Sequence, residues 1–159
     1  MDWIGQAEKY YGERCATYGD TSKAVDWPNE ADAQTRYRVM LDVVRSFPAS
    51  VLDFGCGTSA LLDYCLANRI DIHYSGWDVY PPFIDLARRK HPRVTYFHGD
   101  VLAQDDPLPR FDYVLMNGVL TASYRLPFTE VWPAAQTLLR KVFSICLLYT
   151  SPSPRDRQK

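Results

Sequence analysis

The residues with the strongest claim to chemistry lie in one short run, Val51-Leu-Asp-Phe-Gly-Cys-Gly-Thr-Ser59. Gly55 and Gly57 lack a Cβ, so the backbone there can turn tightly and come close to a ligand. If a helix follows, its first amides offer donors to a carboxylate or a phosphate. Two glycines recur often by chance, and alone they say little. Asp78 adds a second feature, because it stands 21 residues beyond Gly57. An acid about 20 residues past a glycine loop, at the end of the next strand, is placed to accept the hydroxyls of a ribose. Asp78 could equally serve only the turn into the helix that begins near Pro81. The order strand, loop, helix, strand, acid favours a nucleoside. Asp53, two residues ahead of Gly55, decides which kind: a carboxylate there repels a pyrophosphate and suits a ligand carrying a sulfonium or ammonium, although the same acid could equally accept from the loop's own amides. A nicotinamide-dependent oxidoreductase, whose loop tolerates Ala60 in the third glycine position, is disfavoured on this ground.

The elements that must position these residues follow from periodicity and punctuation. Asn29 is an N-cap with acids in the next turn. Tyr37, Met40, Leu41 and Val44 then recur at i, i+3, i+4 and i+7, predicting a helix that Pro48 ends. Short apolar or β-branched runs predict strands at 50–54, 73–77, 94–97 and 111–116. Helices are predicted over 58–68, from Pro81 to just before Pro92, and over 129–140, and a fifth strand from Val142 to Ile145. Strands alternating with helices imply βαβ units and a parallel sheet with helices on both faces. Right-handed crossovers bring every strand's C-terminal end to one edge, where ligands bind. Asp53, Asp78, Asp100 and Asn117 all fall at or near such ends.

On these residues, VLDFGCGTSALL, GWDVYPPFIDLARRK, FHGDVL and FDYVLMNGVL resemble, in order and spacing, the successive motifs of the class I S-adenosylmethionine-dependent methyltransferases. The resemblance covers about residues 49–120. It implies a Rossmann-like three-layer α/β/α fold with a mostly parallel sheet, and S-adenosylmethionine as cofactor. It further implies that Asp53, Gly55, Cys56 and Gly57 cradle the methionine part and that Asp78 holds the ribose. Val79 and Tyr80 would flank the adenine, Asp100 would accept from its amino group with Val101 beside it, and Asn117 would face the methyl donor. The family loop reads acid-x-Gly-x-Gly-x-Gly, and this chain has Ser59 in the last place. After Asn117 the chain reads Gly-Val-Leu, without the Pro-Pro-aromatic of some amine methyltransferases, so the resemblance gives no support to a DNA-adenine or glutamine-amide acceptor. No base is assigned, since in-line methyl transfer can rest on positioning and desolvation.

Residues 1–28 form an aromatic-rich arm, read either as a lid over the pocket, with Tyr18, Lys23, Trp27 and Arg36 as contacts, or as rings packed on the sheet edge. His73, His91 and His98 are scattered and are read as ordinary surface or strand-end residues. At the other end, Cys146 to Asp156, CLLYTSPSPRD, resembles one translated frame of a sequencing-library adapter. The expected layout is therefore the arm, a truncated methyltransferase domain over 29–145 lacking the last strands of a seven-stranded sheet, and a non-native, disordered tail over 146–159.

Composition bounds the remaining possibilities. The chain has 159 residues, 47% apolar and 23% charged, as folded domains do. Its formal charge is −1, and residues 1–145 alone carry 15 basic against 18 acidic residues. A protein that works by neutralising phosphates is visibly basic, so nucleic acid is not an expected partner. Four cysteines without a CxxC pair or zinc spacing predict free thiols and no metal. With no signal-peptide layout at the start and no membrane-length apolar run, a cytoplasmic enzyme methylating a small molecule, or a protein side chain, is the expectation. A catalytically incompetent fragment that binds the cofactor weakly or not at all is the alternative.

Overall fold

The computed structural model describes residues 3–104, 108–120 and 127–147. The elements run α1 (Trp3–Tyr18), a 3-10 turn (Ser22–Val25), α2 (Glu30–Leu41), β1 (Ala49–Phe54), α3 (Ala60–Ala67) and β2 (Ile72–Asp78). Then come α4 (Pro81–Lys90), β3 (Thr95–His98), a second 3-10 turn (Val101–Ala103), β4 (Tyr113–Met116) and α5 (Phe128–Ile145). The four strands make one parallel sheet in the order β3-β2-β1-β4. β1 is central, and all but one of its residues are buried, as expected of a strand covered on both faces.

Successive β1 side chains feed two cores. Val51 joins Tyr37, Leu41, Leu61, Cys65, Ile84 and Tyr113 under α2, α3 and α4. Leu52 and Phe54 join Trp77, Phe111, Leu138, Val142 and Ile145 under α5. On the α5 side, the Phe54, Trp77 and Phe97 rings stack in sequence at centroid distances of 6.1 and 5.4 Å. The architecture is thus α/β/α with helices on both faces of a parallel sheet. The chain steps outward from β1 to β2 to β3, then returns to β4 on the other side of β1. That reversal creates a switch point at the C-terminal edge of β1 and β4, where a crevice opens.

The Asn29 cap forms as the sequence indicates, its Oδ1 accepting from the Asp32 amide at 2.9 Å. Three local expectations are corrected. α2 ends at Leu41 rather than running to Pro48, although Val44 still reaches the core from the turn that follows. Val142–Ile145 is the last turn of α5, not a strand. Leu138, Val142 and Ile145 recur at i, i+4 and i+7, so only a helix buries all three against the sheet. Strand-type pairing starts one residue later, at the Phe111–Cys146 bridge, where the Phe111 amide donates to Ile145 O at 2.9 Å and the Leu147 amide to Phe111 O at 2.8 Å. Cys146 and Leu147 thus pair with Phe111, just ahead of β4, and the remainder of the predicted tail, 148–159, lies outside the described residues. Finally, most of the N-terminal arm is the helix α1, which is not among the elements expected above.

Candidate cofactor site

Gly55 and Gly57 adopt φ of +83° and +52°, the left-handed region that costs other residues roughly 1 kcal/mol or more. Room is as decisive as torsion. A Cβ on Gly55 would lie 2.4 Å from Val119 Cγ2, and one on Gly57 would lie 2.9 Å from Val25 Cγ1. The Gly55 and Cys56 amides both donate to Trp77 O, at 2.7 and 3.0 Å. The Gly57 amide donates to Asp78 Oδ2 at 2.8 Å. These three loop amides are therefore already engaged within the protein.

Asp78 ends β2 with its other oxygen accepting from the Tyr80 amide at 2.9 Å. Burial pushes its carboxyl above the usual range, and the amides of Tyr80, Gly57 and Val79 hold it back. Those three amides take three of the carboxylate's roughly four acceptor sites, which leaves one for a ligand hydroxyl. Asp53 is 4% exposed. It accepts from the Tyr74 hydroxyl at 2.8 Å. Burial lifts its carboxyl to about 7, against the opposing effect of the Tyr74 bond and with a further push from the Asp78 charge. Asp100 caps the second 3-10 turn, Oδ1 accepting from the Leu102 amide at 2.9 Å. The Asn117 Nδ2 is buried and has no hydrogen-bond partner.

These groups surround one cavity of about 300 Å³ at the switch point. Asp53, Gly55, Cys56, Gly57, Asp78, Val79, Asp100, Val101 and Asn117 all line it. Of the four arm and lid residues, only Trp27 does, its indole also lying over Gly118. The other three stand outside the lining. Arg36 places its guanidinium 4.6 Å from the centroid of the Trp27 ring while pairing with Asp32, and so backs the indole from behind. Tyr18 is 41% exposed, under the Arg14 guanidinium. Lys23 contributes its backbone oxygen, which accepts from Arg14. Tyr80 also turns away, edge-on to Phe83, and it is Phe83 that lines the cavity.

Several wall residues carry no signal of their own in the sequence. α1 supplies Ile4 and Tyr11, and α5 supplies Val131, Ala134, Ala135 and Leu138. The spacing Ile4, Ala7, Tyr11 is a helical stripe that could have revealed α1. Among the described residues, no Lys, Arg or His lines the cavity, whereas Asp26, Asp53, Asp78, Asp100 and Glu130 do. This lining suits a ligand with a net positive centre and opposes a pyrophosphate. Among the described residues, no group of three or more His, Cys, Asp or Glu could hold a metal ion, and no helix is long and apolar enough to cross a membrane. Cys15, Cys56 and Cys65 are free thiols.

Comparison with known proteins agrees with this geometry. No curated protein matches the sequence significantly. Among solved structures, the N-methyltransferase NodS from Bradyrhizobium japonicum superposes with a TM-score of 0.59 at 21% identity, covering 85% of this chain and 68% of its own. The CcbJ methyltransferase from Streptomyces caelestis gives 0.58 at 20%, covering 86% and 53%. A TehB-like methyltransferase from Corynebacterium glutamicum gives 0.56 at 19%, covering 89% and 68%. The chain thus spans between about half and two thirds of these relatives' lengths. At these identities the likeness establishes the fold. Residues 52–144, more than half of the chain and including the whole glycine loop, match the family described as a methyltransferase domain, and the chain belongs to that family.

Proposed function

We propose that this chain binds S-adenosylmethionine in the switch-point cavity and directs transfer of its methyl group to a small-molecule acceptor. The observation that carries the reading is the convergence of the glycine loop, Asp53, Asp78, Asp100 and Asn117 on one cavity without a cationic lining residue among those described. The residues present fit the cofactor: both loop glycines border the cavity, and the Asn117 amide is a buried donor without a hydrogen-bond partner. The cofactor supplies an electrophilic methyl on a sulfonium. Asp78 would hold the ribose hydroxyls, Asp100 the adenine amino group and Asp53 the amino-acid end. Val79, Val101 and Phe83 give the adenine an apolar wall. Trp27 and the arm close the cavity against water, which strengthens the carboxylate interactions inside it. The acidic lining and the arm over the cavity support a small acceptor without phosphates rather than nucleic acid.

Thermal shift with S-adenosylhomocysteine and with NAD tests the reading. Stabilisation by the first alone is expected, and Asp78→Ala should remove it, since a lost hydrogen bond to a charged group costs about 1.5–3 kcal/mol. Stabilisation by NAD alone, or an unchanged shift in Asp78→Ala, overturns the assignment.

A further inference from the structure

The family's third loop glycine is replaced here by Ser59, and the structure shows what the replacement does. Ser59 keeps the left-handed backbone, with φ 66°, and is 0% exposed. It caps α3 by position, yet its hydroxyl makes no capping bond. Instead Ser59 Oγ donates to the Tyr96 hydroxyl at 2.9 Å and lies 3.4 Å from the Tyr74 hydroxyl, which donates to Asp53 Oδ2 at 2.8 Å. The four groups come from the loop and from three adjacent strands. Asp53, Gly76 and Tyr96 lie side by side in register. Gly76 leaves the slot through which the Tyr96 ring reaches Ser59: a Cβ there would lie 2.9 Å from that ring. Asp53 itself forms part of the cavity wall.

Of the four, only Asp53 lines the cavity, while Tyr74 and Tyr96 belong to the buried core behind it. The groups bearing on Asp53 are Tyr74 and Asp78 from β2, Tyr37 from α2, Cys65 from α3, Cys56 from the loop and Tyr96 from β3. None is a cation. Without the Tyr74 hydrogen bond, nothing among them favours an ionised carboxylate in so buried a place.

Resting on the cofactor assignment above, we propose that Tyr74 is a positioning residue for the cofactor: braced by Ser59 and Tyr96, its hydroxyl holds Asp53 as the carboxylate that receives the ligand's ammonium group. Cofactor binding is then coupled to loss of a proton from Asp53, whose carboxyl lies near 7 in the free protein.

The test is calorimetric titration of the full chain with S-adenosylhomocysteine from pH 5.5 to 8.5, with adenosine, which lacks the amino-acid end, as the second ligand. For the unaltered protein, S-adenosylhomocysteine affinity should rise with pH through a midpoint near 7, while adenosine affinity stays flat. Tyr74→Phe should move that midpoint upward and weaken S-adenosylhomocysteine roughly tenfold at pH 6.5, leaving adenosine within about twofold. Ser59→Ala, which withdraws only the brace, should move the midpoint in the same direction by less. Equal weakening of both ligands with an unmoved midpoint would show a merely structural role and overturn the proposal, as would a flat profile for the unaltered protein. If neither ligand binds at any pH, the cofactor assignment itself falls and this inference with it.

Discussion

At the scale of single residues, the glycine loop shows how much of a site local sequence can specify. Asp53, Gly55, Gly57 and Asp78 are recognisable because each does something its neighbours in the alphabet cannot. Glycine alone takes the positive φ without strain, and an acid alone both rejects phosphate and accepts a hydroxyl. Ser59 is legible as a departure from the family loop but not as a gain, because its partners Tyr74 and Tyr96 are 15 and 37 residues away. The same limit applies to Asp53, which local sequence would make an acceptor for loop amides; those amides go to Trp77 O and Asp78, and Tyr74 is its donor instead. Gly55→Ala tests the tightness of the cradle. The new Cβ would meet Val119 Cγ2 at 2.4 Å and hold an unfavourable φ of +83°. A stability loss of about 1–3 kcal/mol is expected, together with loss of S-adenosylhomocysteine binding at concentrations that saturate the unaltered protein. Chemical denaturation and calorimetry read the two effects separately.

At the scale of elements, the four strands, α3 and α4 are readable because each is bounded by Gly, Pro or Asp and has a single period. α1 is not. Gly5 and Gly12 fall inside it, and each lowers helix propensity by about 1 kcal/mol. Gly12 is there for packing, since a Cβ would lie 3.3 Å from the Tyr80 hydroxyl. What holds the arm is equally non-local. Lys90, at the end of α4, donates to Thr58 O at 3.0 Å and pairs with Asp63 at 2.6 Å and Asp20 at 3.3 Å. One ammonium thus ties the glycine loop, α3 and the segment after α1 together. Its side chain is only 25% exposed, but both carboxylates are more open, so solvent screens much of the attraction. Lys90→Met should therefore cost global stability no more than about 1 kcal/mol. The local effect should be larger in kind. Trypsin cleavage at Lys23 should quicken several-fold as the arm opens more often, and S-adenosylhomocysteine should slow it again if the arm closes over the ligand. Unchanged cleavage in the variant would show that Lys90 does not hold the arm.

At the scale of the whole molecule, the fold places two buried acids beside a cavity whose described lining has no counter-cation, and this sets the pH response of the free protein. Asp53 is raised from 3.8 to about 7, first by burial, and Asp78 is raised as well. Raised acids keep their protons in the folded state at pH values where the unfolded chain has released them. The folded state therefore binds more protons between about pH 4 and pH 7, and stability falls as pH rises through that window. Each tenfold change in a carboxyl's proton affinity on folding is worth about 1.4 kcal/mol, so the fall amounts to a few kcal/mol at most. The buried tyrosines, also raised, and Lys90 act only in the alkaline range, and Asp112, held low by Ser50, acts below the window. Urea unfolding at pH 5, 6, 7 and 8 should show stability declining towards pH 8, and Asp53→Asn should flatten most of the slope. Saturating S-adenosylhomocysteine should cancel the slope, because its ammonium favours the ionised Asp53 and the ligand's stabilisation grows with pH as fast as the free protein's stability falls. A free-protein stability that climbs from pH 5 to pH 8 would mean that Asp53 is ionised in the empty cavity, and the carboxylate would then be fixed by the fold rather than by the ligand.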